Sequence, residues 1–114
     1  MTEVVLVEAT DAFTNVAVRG RLDAAGVDEV GLTLTSQTVA RRKPAVIDLT
    51  DVGFIASLGI GMLVAIAKSL RMHGMGVAVV AAPPVQTILE MTDIGPIIPI
   101  VATREAALRT LGVA

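Results

Sequence analysis

Ser57 stands where a short apolar, β-branched run gives way to a long apolar run with helical spacing, and Gly59 and Gly61 follow directly behind it. A hydroxyl in that place has two uses. It can cap the helix by accepting a hydrogen bond from the amide of residue 59 or 60. It can also carry a phosphoryl group, because free amides and the positive end of the helix dipole favour an anion there. Glycine costs roughly 1 kcal/mol relative to Ala inside a helix. Its usual return is the close approach of another backbone or of a bulky group. From these residues alone, capping and modification both stand.

Other chemistries find less support. Asp48 and Asp51 lie near the same strand end, as in receiver domains that are phosphorylated on Asp. That chemistry also wants an acidic metal pocket and a Lys after a later strand, and here Ala82-Pro83-Pro84 follows Gly76 to Ala81. There is no Cys, so thiolate metal sites and disulfides are excluded. His73 is the one histidine and lacks fellow ligands for zinc; it sits before Gly74, at the negative end of a helix dipole. No metal or cofactor set emerges, and the chain reads as a binding module, not an enzyme. The formal net charge is −2 and the only aromatic residues are Phe13 and Phe54, which argues against gripping nucleic acid by phosphate contacts or base stacking. Arg41-Arg42-Lys43 before Pro44 reads as a solvated helix exit.

The elements that must position Ser57 follow from periodicity. Val4 to Val7 predicts a first strand and Phe13, Val16 and Val18 a second, ending at Gly20, with a turn around Asp11 that makes the two a hairpin. Asp23 takes an N-cap position ahead of Val27, Val30 and Leu34 at helical spacing. Ala45 to Leu49 predicts a strand buried on both faces, and Thr50 to Gly53 a loop. A helix is expected from Ser57 to His73, closed by Gly74. Gly76 to Ala81 predicts another buried strand, Pro84 to Thr92 a short helix, and Ile97 to Val101 an edge strand, since Pro99 cannot sit in a central one. Thr103 and Ala106 to Leu111 end the chain in a helix stopped by Gly112. The alternation argues for one α/β domain over residues 1–114 with parallel inner strands.

The predicted helix from Ser57 carries two apolar faces. Gly59, Leu63, Ile66 and Leu70 suit the core. Leu58, Met62, Ala65, Ser69 and Met72 form a second face where an amphipathic helix would be polar. Apolar surface beside a modifiable hydroxyl suits a switchable interface; burial of both faces by neighbouring elements is the alternative. The longest apolar run, Leu58 to Ala67, is too short for a bilayer, which needs about 20 residues. Met1 to Val7 has no basic leader region, so a cytoplasmic protein without membrane insertion is expected.

Three segments resemble the STAS family, the anti-sigma factor antagonists of the SpoIIAA type. Gly20-Arg21-Leu22-Asp23 is similar to the family's G-x-L-D turn. Val46-Ile47-Asp48-Leu49 through Phe54-Ile55-Ala56-Ser57-Leu58-Gly59 is similar to its strand–loop–phosphoserine–glycine signature. Met91-Thr92-Asp93-Ile94 and the ending from Ala107 to Ala114 extend the likeness over essentially the whole chain. The family implies a STAS fold: a mixed four- to five-stranded sheet with about four helices mainly on one face. It implies that the unphosphorylated form binds an anti-sigma factor that is also a serine kinase and frees the sigma factor. Phosphorylation releases the complex and a phosphatase reverses it. Ser57 matches the phosphorylated position, Asp23 an acid near the binding face and Asp48 a common strand acid. With Leu58, Gly59, Gly61, Met62 and Ala65, Asp23 makes up the expected partner-binding set. The chain departs from the family in having Ala56 where an Asp often precedes the serine and Leu58 where a second hydroxyl often follows. Other family members act as constitutive scaffolds or as subunits of signalling complexes or lipid transporters, which is the alternative function. Self-association is left open.

Overall fold

Val and Ile together lead the segments that become strands, because β-branched side chains fit a pleated, buried surface. The computed structural model describes residues 1–113. Along the chain lie β1 (Glu3–Ala9), β2 (Thr14–Leu22), α1 (Ala24–Thr38), a 3-10 turn (Val39–Arg41), β3 (Ala45–Ile55), α2 (Ser57–Met72), β4 (Val77–Val80), α3 (Pro83–Met91), β5 (Ile100–Val101) and α4 (Arg104–Leu111). The strands lie side by side in chain order. β1 runs antiparallel to β2, and the other pairs are parallel.

This order fixes the layers. Parallel strands that advance in one direction, joined by right-handed crossovers, place every crossover helix on the same face. Accordingly α1, α2 and α3 cover one face. Val30 and Leu34 from α1, Leu63 and Leu70 from α2, and Val85 and Leu89 from α3 pack on Val16, Ile47, Leu49 and Val79. Among the described residues only α4, which is not a crossover between strands, covers the other face, packing Ala107 and Leu108 on Phe13, Val46, Ala78 and Val80. Successive β3 residues therefore enter different cores, as the period of two requires, and the central strands are buried on both sides.

One expected boundary is wrong in a way that matters for the site. Thr50 to Gly53 is strand, not loop. β2 is long enough to keep pairing, from Arg19↔Asp51 to Leu22↔Ile55, and the register shifts between Ala17 and Arg19 and again between Gly20 and Arg21. At each shift β3 spends one extra residue against β2, a β-bulge. The bulges return Val52 and Ile55 to the helix-covered core and leave Phe54 facing away from it. β1 likewise spans more than Val4 to Val7, with its own irregularity between Leu6 and Glu8. At the opposite edge β5 is confined to two residues just after Pro99.

Candidate functional site

β2 and β3 end at the same level of the sheet, and each hands over at once to a helix. The N-termini of α1 and α2 therefore share one rim. The join is tight. The amide of Ala56 donates to the carbonyl of Leu22 at 3.0 Å. A Cβ on Gly59 would lie 2.8 Å from that same carbonyl oxygen, and one on Gly26 would lie 1.8 Å from the carbonyl oxygen of Arg21. Both helices thus begin in backbone contact with the last two residues of β2, which only glycine permits at those two positions.

The two helix starts are finished differently. Asp23 caps α1 as expected: its Oδ1 accepts from the Gly26 amide at 2.9 Å, and its Oδ2 accepts from Arg21 Nε at 3.3 Å. The Gly26 amide, and after it the Arg21 side chain, hold the Asp23 carboxyl below the usual aspartate range. At α2 the N-cap is Ala56, in extended conformation and with no side-chain bond. Ser57 is the first helical residue and not the cap: the Ala56 carbonyl already accepts from the Ile60 amide at 3.0 Å, so the helix starts one position earlier than a Ser57 cap would give, while the Ala56 amide stays bonded to Leu22. Among the described residues the Ser57 hydroxyl makes no intramolecular hydrogen bond, and the residue is exposed.

Leu58 follows at 60% exposure, large for an apolar side chain. Phe54 lies on the same rim, and the Arg21 guanidinium carbon sits 4.7 Å from its ring centroid, within cation–π range. Arg21 and Phe54 are register partners across β2 and β3. The rim thus offers an unbonded hydroxyl, two apolar side chains, one carboxylate and one guanidinium.

The remaining expected site residues divide. Gly59 is buried, as its place in the core stripe requires, and its surface belongs to Leu22, so it is not available to a partner. Gly61 is exposed, with open space around it. Met62 is half-buried between α2 and α1, with its Sδ 3.8 Å from where a Cβ on Gly31 would lie. Met62 and the exposed Ala65 line a shallow cleft of about 100 Å³ between the two helices, together with Thr35, Val39, Ile66 and Ser69. The second apolar face of α2 is therefore partly covered by α1; Leu58 and Met72 stay largely open, and Ala65 is exposed at the cleft. Arg21 and Phe54, absent from the expected set, join the site. The signal for them was the exposure of the residue preceding Ile55, legible only once the bulge at Gly53 is known. Asp48 and Asp51 do not converge: Asp48 Oδ1 accepts from the Thr50 amide at 2.8 Å, whereas Asp51 faces Arg19 at 3.7 Å. No helix among the described residues is long and apolar enough to cross a membrane.

No curated protein matches the chain in sequence. Among solved structures, an anti-sigma factor antagonist from Mycobacterium paratuberculosis is 26% identical, with a TM-score of 0.86 over 98% of this chain and 95% of that one. SpoIIAA in its unphosphorylated form is 17% identical with a TM-score of 0.72, over 98% of this chain and 99% of its own. The Bacillus cell fate determinant SpoIIAA in the phosphorylated form is 18% identical with a TM-score of 0.63, over 95% and 98% of the two chains. These likenesses agree on a five-stranded mixed sheet with four helices. The model of the STAS domain matches residues 4–107, a span that runs from β1 into α4 and includes the whole rim, and on that match the chain belongs to the STAS domain family.

Proposed function

We propose that this domain is an anti-sigma factor antagonist switched by phosphorylation of Ser57. It acts by binding in the cytoplasm and not by catalysis. Unphosphorylated, it binds an anti-sigma factor that is also a serine kinase, and so frees the sigma factor. The observation that carries the reading is the Ser57 hydroxyl, exposed and unbonded, with exposed Leu58 directly after it and exposed Phe54 three residues before it. A hydroxyl that caps nothing is free for modification, and the apolar neighbours supply contact area.

The kinase transfers the γ-phosphoryl group of ATP to Ser57 Oγ. The Oγ–P bond forms, the bond to the β-phosphate oxygen breaks, and ADP and a proton leave. The phosphate adds a charge of about −1.5 to −2. At the first position of α2 that charge meets unbonded amides and the positive dipole end, so the fold tolerates it. In the complex it is driven against a partner surface that supplies no counter-charge, at a cost of roughly 2–5 kcal/mol. Since about 1.4 kcal/mol is tenfold in affinity, binding is switched off. A phosphatase resets the domain.

The test is capture from the native cell lysate on immobilised wild type, Ser57→Ala and Ser57→Asp. Wild type and Ser57→Ala should retain an ATP-binding protein kinase that Ser57→Asp does not. Equal capture by all three, with no added mass after incubation of the wild type with the captured kinase and ATP, would favour a constitutive scaffold.

A further inference from the structure

The rim holds one cation whose present partners are both replaceable. The Arg21 side chain is 63% exposed and reaches Asp23 at 3.3 Å, with its guanidinium lying on Phe54. An exposed pair of this kind is weakly held, so a stronger anion nearby can take the guanidinium. Register places Arg21 opposite Phe54, three residues before Ser57. Three residues of chain and one inter-strand step hold the two α-carbons within about 12 Å. An arginine and a phosphoseryl side chain close that gap between them. The next cation along β2, Arg19, is already placed between Glu3 and Asp51.

We propose that Arg21 is the intramolecular counter-charge for a phosphate on Ser57. Phosphorylation draws the guanidinium off Asp23 and Phe54 and onto the phosphoryl oxygens. The proposal rests on Ser57 being the modified residue, and it adds how the modification is read. A phosphate offers more charge and more acceptor oxygens than the Asp23 carboxylate, and the guanidinium fork can meet it with two parallel bonds. Two neighbours change with it. The Phe54 ring loses its cationic cover, and Asp23 keeps only the Gly26 amide. The partner then meets a rearranged rim and not merely an added charge.

The experiment installs phosphoserine at position 57 by genetic encoding, so that no kinase is needed. Phosphorus NMR follows the second ionisation of the phosphate with Arg21 present and in Arg21→Gln, and proton–nitrogen NMR follows the Arg21 Nε–H signal with serine and with phosphoserine at position 57. Arg21 should lower that ionisation by on the order of one pH unit relative to Arg21→Gln, with Arg21→Lys recovering part of the shift. The Nε–H signal should move on modification. Identical ionisation in all three proteins, or an unmoved Nε–H signal, overturns the contact. Partner capture by the same phosphoproteins is a separate readout. Capture retained with a shifted ionisation sinks the switch and leaves the Arg21 contact standing; capture lost with an unshifted ionisation does the reverse.

Discussion

The carbonyl oxygen of Leu22 lies 2.8 Å from where a side chain on Gly59 would begin. Gly61, two residues on, faces open space. The two glycines of one helix therefore respond oppositely to the same change. Gly59→Ala should destabilise by about 1–3 kcal/mol, because the obstacles are the Leu22 backbone and the Ile55 side chain, and overpacking of that kind is not relieved by a rotamer change. Gly61→Ala should stabilise by roughly 0.5–1 kcal/mol through helix propensity. Urea denaturation of both variants checks the pair of signs.

Ser57→Ala should leave stability unchanged within about 0.5 kcal/mol, as expected for an exposed residue outside any special feature. A capping serine would cost about 1 kcal/mol on the same substitution. Ser57→Asp should be equal to wild type or slightly more stable, since an acid in the first turn gains about 0.3–1 kcal/mol from the helix dipole. Thermal unfolding of the three proteins decides it.

Leu63 and Leu58 occupy the same helix with opposite exposures. Leu63→Ala should cost about 2–5 kcal/mol, the range for a fully buried leucine. Leu58→Ser should leave the unfolding midpoint in place yet weaken partner capture, which a lysate pull-down reads. Loss of stability in Leu58→Ser would show that the residue is packed in solution and not free for a partner.

The Asp23 carboxyl is held below the ordinary aspartate range by the Gly26 amide and Arg21. A group whose folded value is depressed contributes stability that is present above its unfolded value, near 3.9, and is lost as pH falls through the folded value. Asp23→Asn keeps an oxygen for the Gly26 amide but removes the charge. Wild type should exceed this variant in stability at pH 6, and the difference should shrink as pH drops below about 4. Denaturant midpoints at several pH values give the curve.

Much of this architecture was legible in the sequence. The valine and isoleucine runs identify β2, β3 and β4. Asp23 ahead of a helical repeat marks the cap of α1, and Gly59, Leu63, Ile66 and Leu70 mark the buried stripe of α2. What escaped depends on contacts between distant segments. Thr50 to Gly53 carries loop-like residues, and it is strand only because β2 lies beside it to pair with. Ser57 looks like a cap until the Ala56 carbonyl is seen accepting the first helical bond, from the Ile60 amide. Arg21 meets Phe54 only through strand register and two bulges, which no local pattern reports. Close approach, expected at Gly59 and Gly61 alike, holds only at Gly59, where the approaching group is the domain's own backbone; Gly61 faces open space.

The sheet has two outer edges, and both are blunted. β1 is interrupted between Leu6 and Glu8 and carries Glu3 and Glu8, while β5 offers only two residues after Pro99. Interrupted, charged or very short edges resist the addition of a foreign strand. A domain that leaves Leu58 and Phe54 exposed runs a standing risk of promiscuous self-stacking, and its edges limit that risk to side-chain contacts. Such a unit tolerates high concentration, or a place in tandem with other domains, without pairing through its sheet.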